Sequence, residues 1–188
     1  GTGKGASHGI LIRSAEALER AHKLTTVVLD KTGTITKGAP SLTDVLPAAG
    51  FDDTELLSLV AGAERDSEHP LAAAIVAGAA SAGLEPSAPQ EFTSITGQGV
   101  RALVDGRQVL VGNQRLLTGA GIDASVLTDD QERLAQEGKT PMLVAVDDRP
   151  AGVIGVADTL KDGSIQAIAA LQARGLDVVM MPGANRDT

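Results

Sequence analysis

The chain has 188 residues, 43% hydrophobic and 21% charged, which are values of a globular protein and exclude wholesale disorder. Its 16 basic and 24 acidic residues leave a net charge of −8, which argues against the basic face of a nucleic-acid binder and against a polybasic membrane patch. With no cysteine, these residues can build neither a disulfide framework nor a thiolate metal site.

In chain order, a Gly-rich lead opens the sequence, and Ala15, Leu18 and Ala21 or His22 then recur at helical spacing before residue 23. Residues 24–29, Leu-Thr-Thr-Val-Val-Leu, form a short apolar, β-branched run that predicts a buried parallel strand ending at Asp30. A Thr/Gly-rich loop is expected from there to Gly38. Helices are predicted over 53–63 and 70–82, the second with Pro70 in its first turn and Gly83 after its end. Short strands follow at 92–95, 99–104 and 108–111, the last two flanking the hairpin signal Asp105-Gly106. A helix at 128–136 and a strand at 141–146 come next, then a turn through Asp147, Asp148, Arg149 and Pro150. The rest reads as a strand at 152–157, a helix at 164–174 closed by Gly175, and a strand at 176–181. Strand, loop, helix and strand at the two ends, with a hairpin-rich insert between, predict an α/β sheet interrupted by an α+β domain. The expected divisions are 1–46 and 147–188 for the outer domain and 47–146 for the insert. The longest apolar stretch, 71–80, is too short to span a bilayer, and the N-terminus lacks the apolar core of a signal peptide. Without an initial Met, and ending on Asn185-Arg186-Asp187-Thr188, the chain reads as a fragment.

Chemistry concentrates first in Asp30-Lys31-Thr32-Gly33-Thr34-Ile35-Thr36. Asp30 stands where a strand ends and a polar loop begins, the edge at which open α/β sheets bind ligands. A carboxylate there can attack phosphorus and form an aspartyl-phosphate. Lys31 supplies a point charge, Thr32 and Thr34 supply hydroxyls, and Gly33 lets backbone amides approach phosphate oxygens. Mg²⁺ is expected to bridge Asp30 and the transferred group. A bland alternative is a strand-ending Asp that caps a turn. The seven-residue string, however, resembles the phosphorylation signature of P-type ATPases. That resemblance implies a haloacid-dehalogenase-like, Rossmann-type phosphorylation domain, incomplete here and interrupted by an α+β nucleotide-binding domain with an antiparallel sheet. It implies Asp30, Lys31, Thr32 and Thr34 as catalytic residues, and Asp30 and Thr32 as holders of Mg²⁺. The wider haloacid-dehalogenase-like phosphatases carry a second Asp two residues after the nucleophile as a general acid/base. Thr32 stands there and does not titrate, which favours a long-lived phosphoenzyme over a phosphatase.

Ser67-Glu68-His69-Pro70-Leu71 reads on its own as a helix start with a solvated His. Beside the first motif it resembles the Ser-Glu-His-Pro signature of the heavy-metal-transporting P-type ATPases. The resemblance gives His69 a role in orienting ATP and Glu64 a contact with adenine. Gly97-Gln98-Gly99 and Gly112-Asn113 are weak as isolated motifs, equally explained as turns or bulges. In the subfamily, residues at the positions of Gly97, Gly99, Gly112 and Asn113 line the nucleotide pocket. Asp158-Thr159-Leu160-Lys161 reads as a helix-capping stretch, and by resemblance as a hinge whose Asp158 and Lys161 help bind nucleotide.

The resemblance extends over nearly the whole chain. Residues Gly9-Ile10-Leu11-Ile12-Arg13 and Glu16-Ala17-Leu18-Glu19 look like the link from a membrane helix, and Ala21-His22-Lys23 leans toward the copper branch. It implies ATP and Mg²⁺ as cofactors, the transmembrane and actuator domains of a parent pump as partners, and a place on the cytoplasmic side of a membrane. The transported metal is not expected to bind these residues. One departure stands out: Pro182-Gly183-Ala184-Asn185 replaces the family's Thr-Gly-Asp-Asn, removing a hydroxyl, a backbone N–H and a carboxylate. The expectation is that this chain alone binds nucleotide but cannot complete phosphoryl transfer. The alternatives are a nucleotide-binding module without catalysis and a soluble phosphatase.

Overall fold

The computed structural model describes Ala6, Ser7, Gly9, Ile10 and residues 14–181, apart from the side chains of Ala15, Ala17 and Leu18. The Gly1–Gly5 lead, residues 11–13 of the expected membrane link and the Pro182–Asn185 departure therefore lie outside the described residues. The chain divides into two compact units, residues 1–37 with 160–188, and residues 38–159. Two strands, β2 (Thr36–Pro47) and β7 (Arg149–Leu160), run past both divisions without a break. The sequence placed the divisions near 46, where its pattern changes, and near 147, where Asp147-Asp148-Arg149-Pro150 reads as a turn.

In the smaller unit, helix α1 (Ala15–Ala21) precedes β1 (Thr26–Asp30), and helix α6 (Ser164–Gln172) precedes β8 (Asp177–Met181). β1 and β8 pair in parallel, with Val28 opposite Val179 and Asp30 opposite Met181. The β-branched run becomes a parallel strand that delivers Asp30 at its carboxyl end, but not the buried strand expected: none of its residues is buried, and Val28 is 56% exposed. α6 begins after Gly163, whose φ of +87° supplies the left-handed entry.

The larger unit is built on a sheet of order β2-β7-β6-β5-β4-β3, with β3 (Gln90–Ile95), β4 (Gly99–Val104), β5 (Arg107–Gly112) and β6 (Thr140–Val146). From β3 to β7 successive strands are antiparallel. Asp105 (φ +50°) and Gly106 (φ +76°) make the two-residue hairpin the sequence signalled, and Asp147 (φ +50°) with Asp148 (φ +61°) makes a second. Because side chains alternate along a strand, the central strands feed two cores. Val109, Val111, Val144, Val146 and Ile154 pack with helices α2 (Asp53–Glu64) and α3 (Pro70–Ser81). Leu110, Leu143, Ala145 and Val153 pack instead with α4 (Gln114–Gly119), the 3-10 turn Ser125–Leu127 and α5 (Thr128–Gln136).

Helix starts follow local chemistry. Asp52 caps α2 by accepting from the Glu55 N–H at 2.8 Å. α3 starts at Pro70 and is capped by His69, whose Nδ1 accepts from the Leu71 N–H at 3.2 Å. Gly83 ends it with φ +77°.

Candidate functional site

One cavity of about 350 Å³ opens in the larger unit, within the range of sites that hold small ligands. Glu64 from the end of α2, His69 from the start of α3, Gly97 and Gly99 from the β3–β4 turn, and Gly112 and Asn113 from the end of β5 all line it. These six sequence-predicted residues are thus brought together from four separate stretches of chain. Among the described residues no lysine or arginine lines the cavity. It therefore offers no lysine or arginine to seat phosphates.

Glu64 is its unusual member. The residue is only 3% exposed, and burial pushes its carboxyl up to about 7, while a hydrogen bond from the Ser67 hydroxyl opposes the rise. Near neutral pH such a carboxyl is divided between an acceptor and a donor form, so it can pair with either edge group of a heterocyclic base. His69 is exposed. Because Nδ1 accepts a backbone N–H, its neutral ring carries the proton on Nε2 and offers a donor there.

The glycines serve different ends. Gly99 faces Gly112 across β4 and β5. A Cβ on Gly99 would stand 2.1 Å from the Val111 carbonyl oxygen, and one on Gly112 would stand 2.1 Å from the Gln98 oxygen. Their lack of side chains is demanded by backbone crowding, whatever ligand the cavity takes. Gly97 has φ +69° and open space where its Cβ would be. It is a turn glycine that leaves the cavity wall bare. The sequence reading missed Ser94, Thr96, Thr140 and Met142, which also line the cavity. No short pattern marks them, since they reach it through sheet order and not through sequence proximity.

The second cluster belongs to the smaller unit. Asp30 ends β1 with an extended backbone (φ −67°, ψ +139°), and Lys31–Ile35 form one wide turn after it. Asp30, Lys31, Thr32 and Thr34 are all exposed. Gly33, with φ +74°, allows the turn to reverse. The buried Thr36 hydroxyl closes the turn, donating to the Lys31 carbonyl at 3.0 Å and accepting from the Gly33 N–H at 3.2 Å. Lys161 Nζ donates to the Gly33 carbonyl. The Lys161 N–H and the Ser164 hydroxyl both reach the Ile35 carbonyl, at 2.9 and 2.8 Å. Lys161, expected at a nucleotide, here holds the turn that follows Asp30. Thr36 and Ser164, which the sequence did not mark as site residues, share that task. Asp158 lies on β7, which continues two residues past it, and accepts from the Gly38 N–H at 2.9 Å.

Among the described residues no group of three or more His, Asp or Glu side chains is gathered as a metal site. Asp30 offers one carboxylate, which fits Mg²⁺, an ion commonly held by one or two carboxylates together with substrate phosphates. No helix of the described residues is long and apolar enough to cross a membrane.

Asp30 thus ends a parallel strand and precedes a Thr/Gly turn. The model of the haloacid dehalogenase-like hydrolases matches residues 24–188. The chain belongs to that family. Over its whole length this haloacid dehalogenase-like chain is 46% identical to the copper-exporting P-type ATPase of Bacillus subtilis strain 168, and it covers 23% of that protein. It is 47% identical, again over its whole length, to copper-transporting ATPase 1 of Rhizobium meliloti strain 1021, covering 23% of it. The crystal structure of a zinc-transporting PIB-type ATPase in its E2.Pi state superposes with a TM-score of 0.78 at 35% identity, over 87% of this chain and 26% of that one. The chain therefore spans about a quarter of the length of the relatives it matches.

Proposed function

We propose that these residues are the nucleotide-binding and phosphorylated portion of a heavy-metal-transporting P-type ATPase, with ATP seated in the larger unit and Asp30 as the phosphate acceptor. The observation that carries the reading is the convergence of Glu64, His69, Gly97, Gly99, Gly112 and Asn113 on one cavity that contains no cation. Such a seat takes the adenine and ribose and leaves the phosphates outside it. The Asp30 carboxylate attacks the γ-phosphorus, the bond from that phosphorus to the bridging oxygen breaks, and ADP leaves with that oxygen's electron pair. An acyl phosphate on Asp30 remains. Lys31 offsets charge on the phosphoryl oxygens, and the turn held by Thr36, Lys161 and Ser164 keeps Asp30 at the strand end. Asp30 and Thr32 would hold Mg²⁺, which would supply positive charge against the transferred group. Thr32 leaves the acyl phosphate without an adjacent general base, which suits a cycle in which the phosphoenzyme must persist.

In the intact parent the transmembrane and actuator domains couple this cycle to export of a metal ion. Both curated relatives are named for copper, which favours copper over the zinc named for the solved structure. The site itself faces the cytoplasm.

The test is phosphorylation of the intact pump that contains these residues, by γ-labelled ATP with Mg²⁺. The expected product is an acid-stable, hydroxylamine-labile label, abolished by Asp30→Asn and formed only at higher ATP concentration in His69→Gln. A label that survives Asp30→Asn overturns the assignment of Asp30. Unchanged ATP affinity in His69→Gln overturns the nucleotide role of the cavity.

A further inference from the structure

Asn113 sits at the junction of β5 and α4, and its side chain is committed on both ends. Oδ1 accepts the N–H groups of Arg115 at 3.0 Å and Leu116 at 3.3 Å, capping α4. Nδ2 donates to the Gly97 carbonyl at 2.8 Å. The Asn113 backbone N–H donates to the Gln98 carbonyl, also at 2.8 Å. An amide oxygen has two lone pairs, and here both are taken, so no acceptor is left for a ligand. Directly beside these bonds, Gly99 and Gly112 pass so closely that neither tolerates a Cβ. Gly97, Gln98 and Gly99 are thereby stitched in succession to Gly112 and Asn113, while Gly97 keeps open space on its free side.

We propose that Asn113 is a positioning residue, which shapes the cavity wall by holding the Gly97 carbonyl and does not itself contact nucleotide. This inference rests on the reading of the cavity as a nucleotide seat. The Gly97 turn has φ +69° and only short local hydrogen bonds of its own, such as Gln98 N–H to the Ile95 carbonyl at 2.9 Å. Without the Asn113 amide, nothing in the cap of α4 holds the Gly97 peptide plane. The base then meets a mobile wall and pays the entropy of ordering it on binding.

Asn113→Asp separates the two tasks, because it keeps the capping oxygen and loses the amide N–H donors, the one on the Gly97 carbonyl included. In the 188-residue chain, Asn113→Asp is expected to keep its melting midpoint within about 3 °C of the parent, because the cap survives. Its ligand-free spectrum should shift the amide resonances of Gly97, Gln98 and Gly99. Adenosine should weaken about tenfold, the order of one hydrogen bond lost, and ADP and ATP by more, because the new carboxylate repels their phosphates. Asn113→Ser, which caps without a charge and also lacks the amide donor, should weaken all three by a similar factor; it decides the matter if Asn113→Asp fails to fold. In Asn113→Ser a loss that grows from adenosine to ATP, or in either variant resonances at 97–99 that stay in place while affinity falls, would mean direct contact and overturn the proposal. A parent chain that binds none of the three ligands would instead overturn the nucleotide reading, and it is scored before either variant is made.

Discussion

In the larger unit the central strands β5 and β6 have helices on both faces, and Val109, Leu110, Val111, Leu143 and Val144 are fully buried. In the smaller unit the paired strands β1 and β8 leave Val28, Val179 and Met181 about half exposed on one face. Ile35 is the one buried hydrophobic residue of that unit among those described. The same type of segment, short and β-branched, is therefore core in one unit and surface in the other. The difference teaches where each half of the chemistry gets its order. The cavity stands on packed elements, so its shape is fixed by close packing and by the Gly99–Gly112 approach. The turn after Asp30 is fixed by directed bonds, from Thr36, Lys161 and Ser164, with little apolar burial behind it.

The sharpest way to break this comparison is a cavity in the larger core. Leu56 is fully buried in α2 and its side chain packs against Gly152 of β7. Leu56→Ala should cost about 2–5 kcal/mol. Denaturant unfolding followed by a probe in the larger unit checks it, and a cost below about 1 kcal/mol would show that this core is not close-packed.

Glu64 gives the next effect, and its sign is fixed by the direction of its shift. Its carboxyl titrates at about 7 in the fold against an ordinary 4.5. Below 4.5 both folded and unfolded chains hold the proton. As pH rises toward 7 the unfolded chain releases it first, so stability falls across that window and levels off above it. The loss amounts to roughly 3 kcal/mol by pH 8. Glu64→Gln should flatten the profile, and a stability curve with the same slope in both proteins would show that Glu64 is not the group responsible.

How far these features were legible in the sequence depends on what made them. Helices α2, α3 and α5 were legible in the sequence, α3 with Pro70 and Gly83 marking its ends. The Asp105-Gly106 hairpin was legible because few residues adopt both left-handed turn positions. Strand β2 was not: Lys37, Gly38, Pro40 and Asp44 interrupt its apolar pattern, and it exists through pairing with β7. The Asp44 carboxylate sits on that strand against Lys139 Nζ at 2.7 Å, which no local rule predicts. Strand β7 was read as shorter because Pro150 looked like turn and Asp158 like loop. Asp30 and His69 were singled out in the sequence by residue type and motif. The glycines were legible as a pattern but not for their reason, since the crowding of Gly99 on Gly112 needs the pairing of β4 with β5. Ser164 was legible only as the start of a helix; that its hydroxyl holds the Ile35 carbonyl is a contact 129 residues apart in sequence.

That latch supplies a third test, smaller in energy. Ser164→Ala removes one donor to the Ile35 carbonyl while the Lys161 N–H remains, so the stability change should be about 1 kcal/mol. Amide exchange in residues 31–36 should accelerate, while exchange in β5 and β6 stays as it was. Acceleration in both places would mean that the two units do not keep separate sources of order.

The smallest effect is the most telling for the comparison. Val28 and Val179 are paired neighbours at 56% and 47% exposure, so little apolar surface is buried by either. Replacing each with Thr keeps the β-branched shape that favours a strand and places a hydroxyl where water already reaches. The double change should alter unfolding stability by less than about 0.5 kcal/mol, the usual range for exposed positions. The corresponding pair in the larger unit, Val111→Thr with Val144→Thr, buries two hydroxyls among apolar neighbours and should cost several times more. Equal costs in the two pairs would show that the face of β1 and β8 is covered in solution, and the contrast between a packed cavity in the larger unit and a bonded turn after Asp30 would then fall.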